Sequence, residues 1–112
     1  MSAGDAKRAK LRELNDALRT TLTGGRVVVT AGVNALSKLN QGLLLERVRT
    51  FDSFTEDNDP HREHDFGAID FLGRKFFWKI DYYDSSLSFH SEDASDPSKT
   101  VRVLTLMRAD EY

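Results

Sequence analysis

The stretch DNDPHREHDFG, Asp57 to Gly67, concentrates the residue types that do chemistry. It holds three aspartates, a glutamate, two histidines and an arginine in eleven residues. Imidazole and carboxylate are suitable donors for zinc, manganese or iron. Histidine also titrates near neutrality, so the same set could move protons. The spacing limits both readings. His61 and His64 are three apart in a segment with a proline, not the four-residue helical step that puts two rings on one face. A third histidine ligand would have to be His90. Asp57 and Asp59 alternate like the first ligands of a calcium loop, but the glycine and closing glutamate of that motif are missing. No cofactor is therefore expected, a divalent ion at Glu63, His64 and Asp65 being the alternative.

The elements around the stretch decide where it points. Asn58-Asp59-Pro60 is turn chemistry, because the residue before a proline is pushed out of the helical region. From Phe66 the alternation of a hairpin begins. A two-residue turn at Gly73-Arg74 would set Leu72 opposite Lys75, Phe71 opposite Phe76, Ile69 opposite Trp78 and Gly67 opposite Ile80. The strand period then puts Trp78 and its apolar neighbours on one side. His64, Asp70, Lys79, Asp81 and Tyr83 fall on the other. A slip by one residue would bury Lys79 and Asp81 and expose Trp78.

Upstream, Leu11, Leu14, Leu18 and Leu22 recur at three- and four-residue steps, which predicts a helix over 5–22 that ends at Gly24-Gly25. Arg26 to Gly32, RVVVTAG, predicts a strand covered on both faces. A second helix is predicted over 37–51, with Leu44, Val48 and Phe51 on one face and Leu45 beside them. Downstream, Ser85 to Lys99 is a polar connection with at most a short helical turn. Thr100 to Arg108 is a strand apolar on both faces and so placed inside the sheet. The expected architecture is α+β, one layer of about four mostly antiparallel strands with two helices on one face. It forms a single domain over 1–112, residues 1–4 being a disordered start.

Composition excludes several classes. There is no cysteine, which removes disulfides, thiolate zinc sites and a cysteine nucleophile and fits a cytoplasmic location. No run of eighteen apolar residues is present to span a membrane. The formal charge is −2, so direct nucleic-acid binding is not expected. Charge is uneven along the chain: residues 1–26 carry six cationic side chains against three carboxylates, and residues 52–65 carry six carboxylates against Arg62 alone. The glycines of LTGGRVVVTAG precede a strand instead of following one into a helix, the wrong order for a phosphate cradle. In FFWKIDYYD, Phe76, Trp78 and Ile80 read as core, while Phe77 and Tyr83 read as a patch for a partner or a dimer.

The stretches LNDALR, GRVVVTAGV, FDSFTEDNDPHREHDFGAID, FWKIDYYD and RVLTLMRADEY together resemble a family of short alphaproteobacterial proteins, the domain of unknown function DUF3768. The resemblance implies a compact cytoplasmic bacterial protein, often carried on mobile DNA, with no activity attached. Its motif falls on Asn58, Asp59, Pro60, Glu63, His64, Asp65, Phe66 and Gly67, and on Trp78, Lys79, Asp81, Tyr82 and Tyr83. His61 and Arg62 lie at its variable positions, so a site common to the family would centre on His64.

These readings converge on a non-enzymatic binding or regulatory module for a protein partner, such as an inhibitor of a nucleic-acid-handling protein. The expected surface is the acidic 56–65 loop with the His64, Lys79, Asp81 and Tyr83 face, and Asp59, Glu63 and Asp65 as further binding residues. The alternative is a metal-assisted hydrolase centred on Glu63, His64 and Asp65, with His64, Lys79 and Asp81 as catalytic candidates. A homo-oligomer is compatible with either.

Overall fold

The computed structural model describes residues 2–112. The architecture is the expected α+β layer, with helices on one face of a four-stranded sheet. The first helix, α1 (Ala3–Thr21), starts earlier than its apolar stripe suggests. The Ser2 hydroxyl accepts from the Asp5 amide, and the Asp5 carboxylate reaches back to the Ser2 amide. That capping box satisfies two end donors and makes Ser2 the cap of the helix. The helix ends at Leu22, which takes the left-handed conformation itself, with φ 59°.

The chain then runs through β1 (Arg26–Val29), the short α2 (Ala31–Asn34) and α3 (Lys38–Arg49). Ser37 caps α3 by accepting from the Asn40 amide. Phe51 lies beyond its end, so the second helix is shorter than the predicted 37–51. After the 52–65 loop come β2 (Phe66–Phe71), β3 (Arg74–Tyr83) and β4 (Val101–Arg108). The sheet order is β1-β4-β3-β2; β1 runs parallel to β4 and the other pairs are antiparallel. The last strand is thus interior, as its two apolar faces require. The first strand is not: β1 is an edge, and Val28 and Val29 are 43% and 42% exposed. Only Val27 packs on the core. The valine run reports strand propensity, not cover on both faces.

The hairpin turn lies one residue earlier than expected. Leu72 and Gly73 both have positive φ, 54° and 74°, the pattern of a type I′ turn whose twist suits a hairpin. Phe71 therefore faces Arg74, Ile69 faces Phe76 and Gly67 faces Trp78. Each partner shifts by two positions, so the side chains of the two strands themselves keep the face the alternation assigned to them. Gly67 is required by its neighbour: a Cβ there would collide with the Trp78 indole and the Phe51 ring. Between β3 and β4 the chain forms no helix. It turns on aspartates that accept from nearby serines, as Asp93 does from Ser95 and Asp96 from Ser98.

The core lies between helices and sheet. Phe76, Trp78, Ile80 and Tyr82 of β3 alternate inward with Leu104 and Leu106 of β4, against Leu18, Val33, Leu44 and Val48. Two polar residues of α1 share this interior: Asn15 is fully buried and Arg19 nearly so. Arg19 Nη1 donates to the carbonyls of Val48, Arg49 and Phe51 at 3.2, 3.1 and 2.8 Å, where α3 runs out of internal partners. Its guanidinium lies over the Phe54 and Trp78 rings, 5.4 and 5.6 Å from their centroids. Among the described residues no helix is long and apolar enough to cross a membrane.

Two stability outcomes follow from these positions. Leu72→Asn, at an exposed site in a left-handed turn, should raise unfolding free energy by about 1 kcal/mol. Arg19→Met keeps the volume but strips the end of α3 of its donor and should cost roughly 3 kcal/mol. Urea unfolding followed by tryptophan fluorescence measures both.

Candidate functional site

The 52–65 loop is built by its own polar side chains. Asn58 Oδ1 accepts from the Thr55 amide at 2.8 Å and its Nδ2 donates to the Ser53 carbonyl at 2.8 Å. Asp59 is 6% exposed, and its Oδ1 accepts from the amides of Glu63 and His64 at 3.0 and 3.2 Å. This anchors a backbone in which Arg62 and His64 both take left-handed φ, 55° and 53°. Such conformations persist only where the surroundings hold them, and here one carboxylate does so.

The positive φ turns His64 away from the strand it precedes. Its ring stacks on Phe54 with centroids 3.8 Å apart and planes 4° from parallel. Nδ1 donates to Asp16 Oδ1 of α1 at 2.8 Å, and Nε2 faces Asp59 Oδ2 at 3.5 Å. Asp16 Oδ1 also accepts from Arg19 Nη2 at 3.2 Å, so His64 is connected to the end of α3. The expected placement of His64 on the same face as Tyr83 is therefore corrected. His64 lies on the helix side with Trp78, whereas Lys79, Asp81 and Tyr83 lie on the opposite face. There Lys79 Nζ pairs with Asp81 Oδ2 at 2.9 Å, and this contact holds the ammonium above its ordinary range. The three catalytic candidates His64, Lys79 and Asp81 are divided between the two sides of the sheet.

Glu63 and Asp65 flank His64 but turn toward a different cluster. Glu63 Oε2 accepts from the Tyr82 hydroxyl at 3.4 Å. Asn15 Nδ2 donates to that hydroxyl at 2.7 Å and to the Glu63 carbonyl at 2.9 Å, while its Oδ1 accepts from Arg102 Nε at 2.9 Å. Burial pushes the Tyr82 phenol far above its ordinary range and lowers the Arg102 guanidinium. Burial, then the neighbouring Glu63 carboxylate, holds Asp65 above the usual carboxylate range. Among the described residues no three His, Cys, Asp or Glu side chains are grouped to hold a metal ion. His61 is exposed, and His90 is placed beside Tyr82 and the Ser91 carbonyl.

Between α1 and the loop lies an open cleft of about 660 Å³, lined by Arg12, Phe54, Thr55, Glu56, Asp59, Pro60, Arg62 and His64. Arg12 Nη1 donates to the Arg62 carbonyl at 3.2 Å and closes one side. Sequence reasoning missed Arg12, Asn15, Asp16 and Arg19 as parts of this region. The signal was present in the four-residue spacing of Leu11, Asn15 and Arg19, which puts two polar groups on the helix's inward face.

The arrangement defines a small α+β protein with a one-sided sheet and a polar loop buttressed by its first helix. The model of the family described as Protein of unknown function (DUF3768) matches residues 29–111, most of the chain, and the protein belongs to that family. The matched segment contains the whole loop and β2, β3 and β4, and leaves out α1 and all of β1 but Val29. No curated protein and no solved structure gave a match.

The raised Asp65 carboxyl has a signed consequence. A carboxyl whose folded pKa exceeds its unfolded value contributes stability that is full below the unfolded value and is lost as pH rises through the folded one. Asp65→Asn should abolish this loss. Its melting temperature relative to the unsubstituted protein should therefore climb from about pH 4 to pH 7. A constant difference across that range would contradict the environment described for Asp65.

Proposed function

We propose that this protein is a non-enzymatic binding module that holds a protein partner against the 52–65 loop and the cleft between that loop and α1. One observation carries the reading: His64 and Asp59, the central acid–base candidates of the loop, are committed to its shape. His64 has a carboxylate at each ring nitrogen and an aromatic ring on its face, and Asp59 is occupied by two amides. What is left exposed is a preorganised surface, which lowers the ordering cost of association.

The chemistry of that surface points to a protein. Asp52, Glu56 and Asp57 are exposed along the loop, with Arg12 and Arg62 beside the Pro60 and Phe54 walls of the cleft. An acidic rim repels nucleic acid and attracts a basic protein surface. A basic nucleic-acid-handling protein of the cytoplasm is the finer form of this reading, with inhibition as the consequence of covering its basic surface. The lack of cysteine suits that compartment.

Affinity capture from cell extract tests it, with the full chain as bait beside Glu56→Lys/Asp57→Lys. Lys38→Glu serves as control, at the far end of α3 and about 16 Å away along the helix axis. A protein retained by bait and control and reduced tenfold or more by the loop variant is the expected result. Equal recovery from all three baits, or recovery from none, overturns the proposal.

A further inference from the structure

The three helices that contribute to the core, α1, α2 and α3, lie on one side of the sheet, and strand alternation assigns the other side its own residues. Phe77, Lys79, Asp81 and Tyr83 of β3 lie there beside Val101, Val103, Thr105 and Met107 of β4. The three helices do not cover them, and Met107 alone of the eight is buried. Tyr112 reaches over one end, edge-on to Phe66 and Phe77 at 6.2 and 5.7 Å. The turn before it is fixed by Glu111, whose carboxylate accepts from the Arg108 amide, the Thr30 hydroxyl and the Gly32 amide. The face is thus apolar and aromatic, with the Lys79–Asp81 ion pair at its centre, each side chain about one-third exposed.

We propose that this face binds a second copy of the chain about a two-fold axis that crosses β3 at Ile80. The order of residues along β3 is self-complementary about that point. A two-fold perpendicular to the strands exchanges positions equidistant from Ile80. It sets Lys79 over the partner's Asp81, Asp81 over the partner's Lys79, and Phe77 over the partner's Tyr83. Ile80 is in register with Leu104, so the same axis sets Val103 over the partner's Thr105. Charge meets opposite charge and apolar rows meet apolar rows, which is what an isologous interface requires.

Other occupants fit less well. A wholly apolar helix would bury the Lys79–Asp81 pair with nothing to replace the lost water. Nucleic acid needs a net positive surface, and these two charges cancel. A second copy supplies the opposite order of charges by symmetry alone. The size is suitable for reversible association. Strands ~4.8 Å apart rising ~3.3 Å per residue make a face of roughly 19 by 26 Å, or about 500 Å² measured flat. Side-chain relief brings its accessible area toward the ~800 Å² per partner of a standard interface.

Sedimentation velocity on the full chain, from about 1 μM to 1 mM, reads the proposal independently of any partner held by the loop. The unsubstituted protein should pass from the mass of one chain to that of two. Asp81→Lys and Lys79→Asp should each stay monomeric, because like charges then meet across the axis. An equimolar mixture of the two, and the double swap Lys79→Asp/Asp81→Lys, should regain the dimer. Thr105→Arg, on the neighbouring strand, should also remain monomeric, and it reads the same face should the charge variants fail to fold. Monomers throughout the range, a dimer indifferent to Thr105→Arg, or a folded double swap that stays monomeric would each overturn the proposal.

Discussion

The Arg19 guanidinium is the contact on which the rest of the structure depends. It joins four parts of the chain that have no other common partner. Its donors end α3, its face covers Phe54 and Trp78, and its second nitrogen holds Asp16. Asp16 in turn fixes the His64 ring. A charge so deeply buried is tolerated because its surroundings are themselves polar: three carbonyls at a helix C-terminus carry partial negative charge, and the aromatic faces add a quadrupole attraction. Arginine suits this role better than lysine because a planar fork reaches several acceptors at once.

Period-two and period-3.6 patterns were readable where they coincide with burial. The face assignment of β3, the interior place of β4 and the α+β layer all follow from alternation. The hairpin register was misplaced by two residues because Leu72 occupies a left-handed position that composition assigns to Gly73 and its successor. The faces survived because the error was even. The site was less legible. Asn15 and Arg19 share the helix's apolar face by spacing, but their partners, and the role of the half-exposed Asp16 beside them, come from tertiary packing that the local pattern does not carry. Of the loop's two histidines, His64 is tied to Asp16 and Phe54 and His61 is exposed. Its direction could not be inferred, since a single positive φ at a non-glycine residue reverses where a side chain points and leaves no trace in the pattern.

The two sides of the sheet illustrate different uses of polar residues. On the helix side, Asn15, Tyr82, Arg102 and Asp59 satisfy one another or the backbone, as burial demands. Their function is to give an irregular loop one shape. On the uncovered side the Lys79–Asp81 pair interrupts an apolar stretch of β3 and β4, and charges placed this way limit which surfaces can pack against it.

The parallel pairing of β1 with β4 bears on how the chain acquires its structure over time. β4 lies between β1 and β3 yet comes last of the four strands, so Val27 waits for Leu104, seventy-seven positions further along, before it has a neighbour. Until then only the β2–β3 hairpin can assemble locally, with Trp78 lacking its sheet-side neighbour Leu106. Non-local closure of this kind slows folding, and it leaves emerging chains with an unpaired hydrophobic strand edge open to aggregation. During synthesis that edge stays open until β4 is released to complete the sheet.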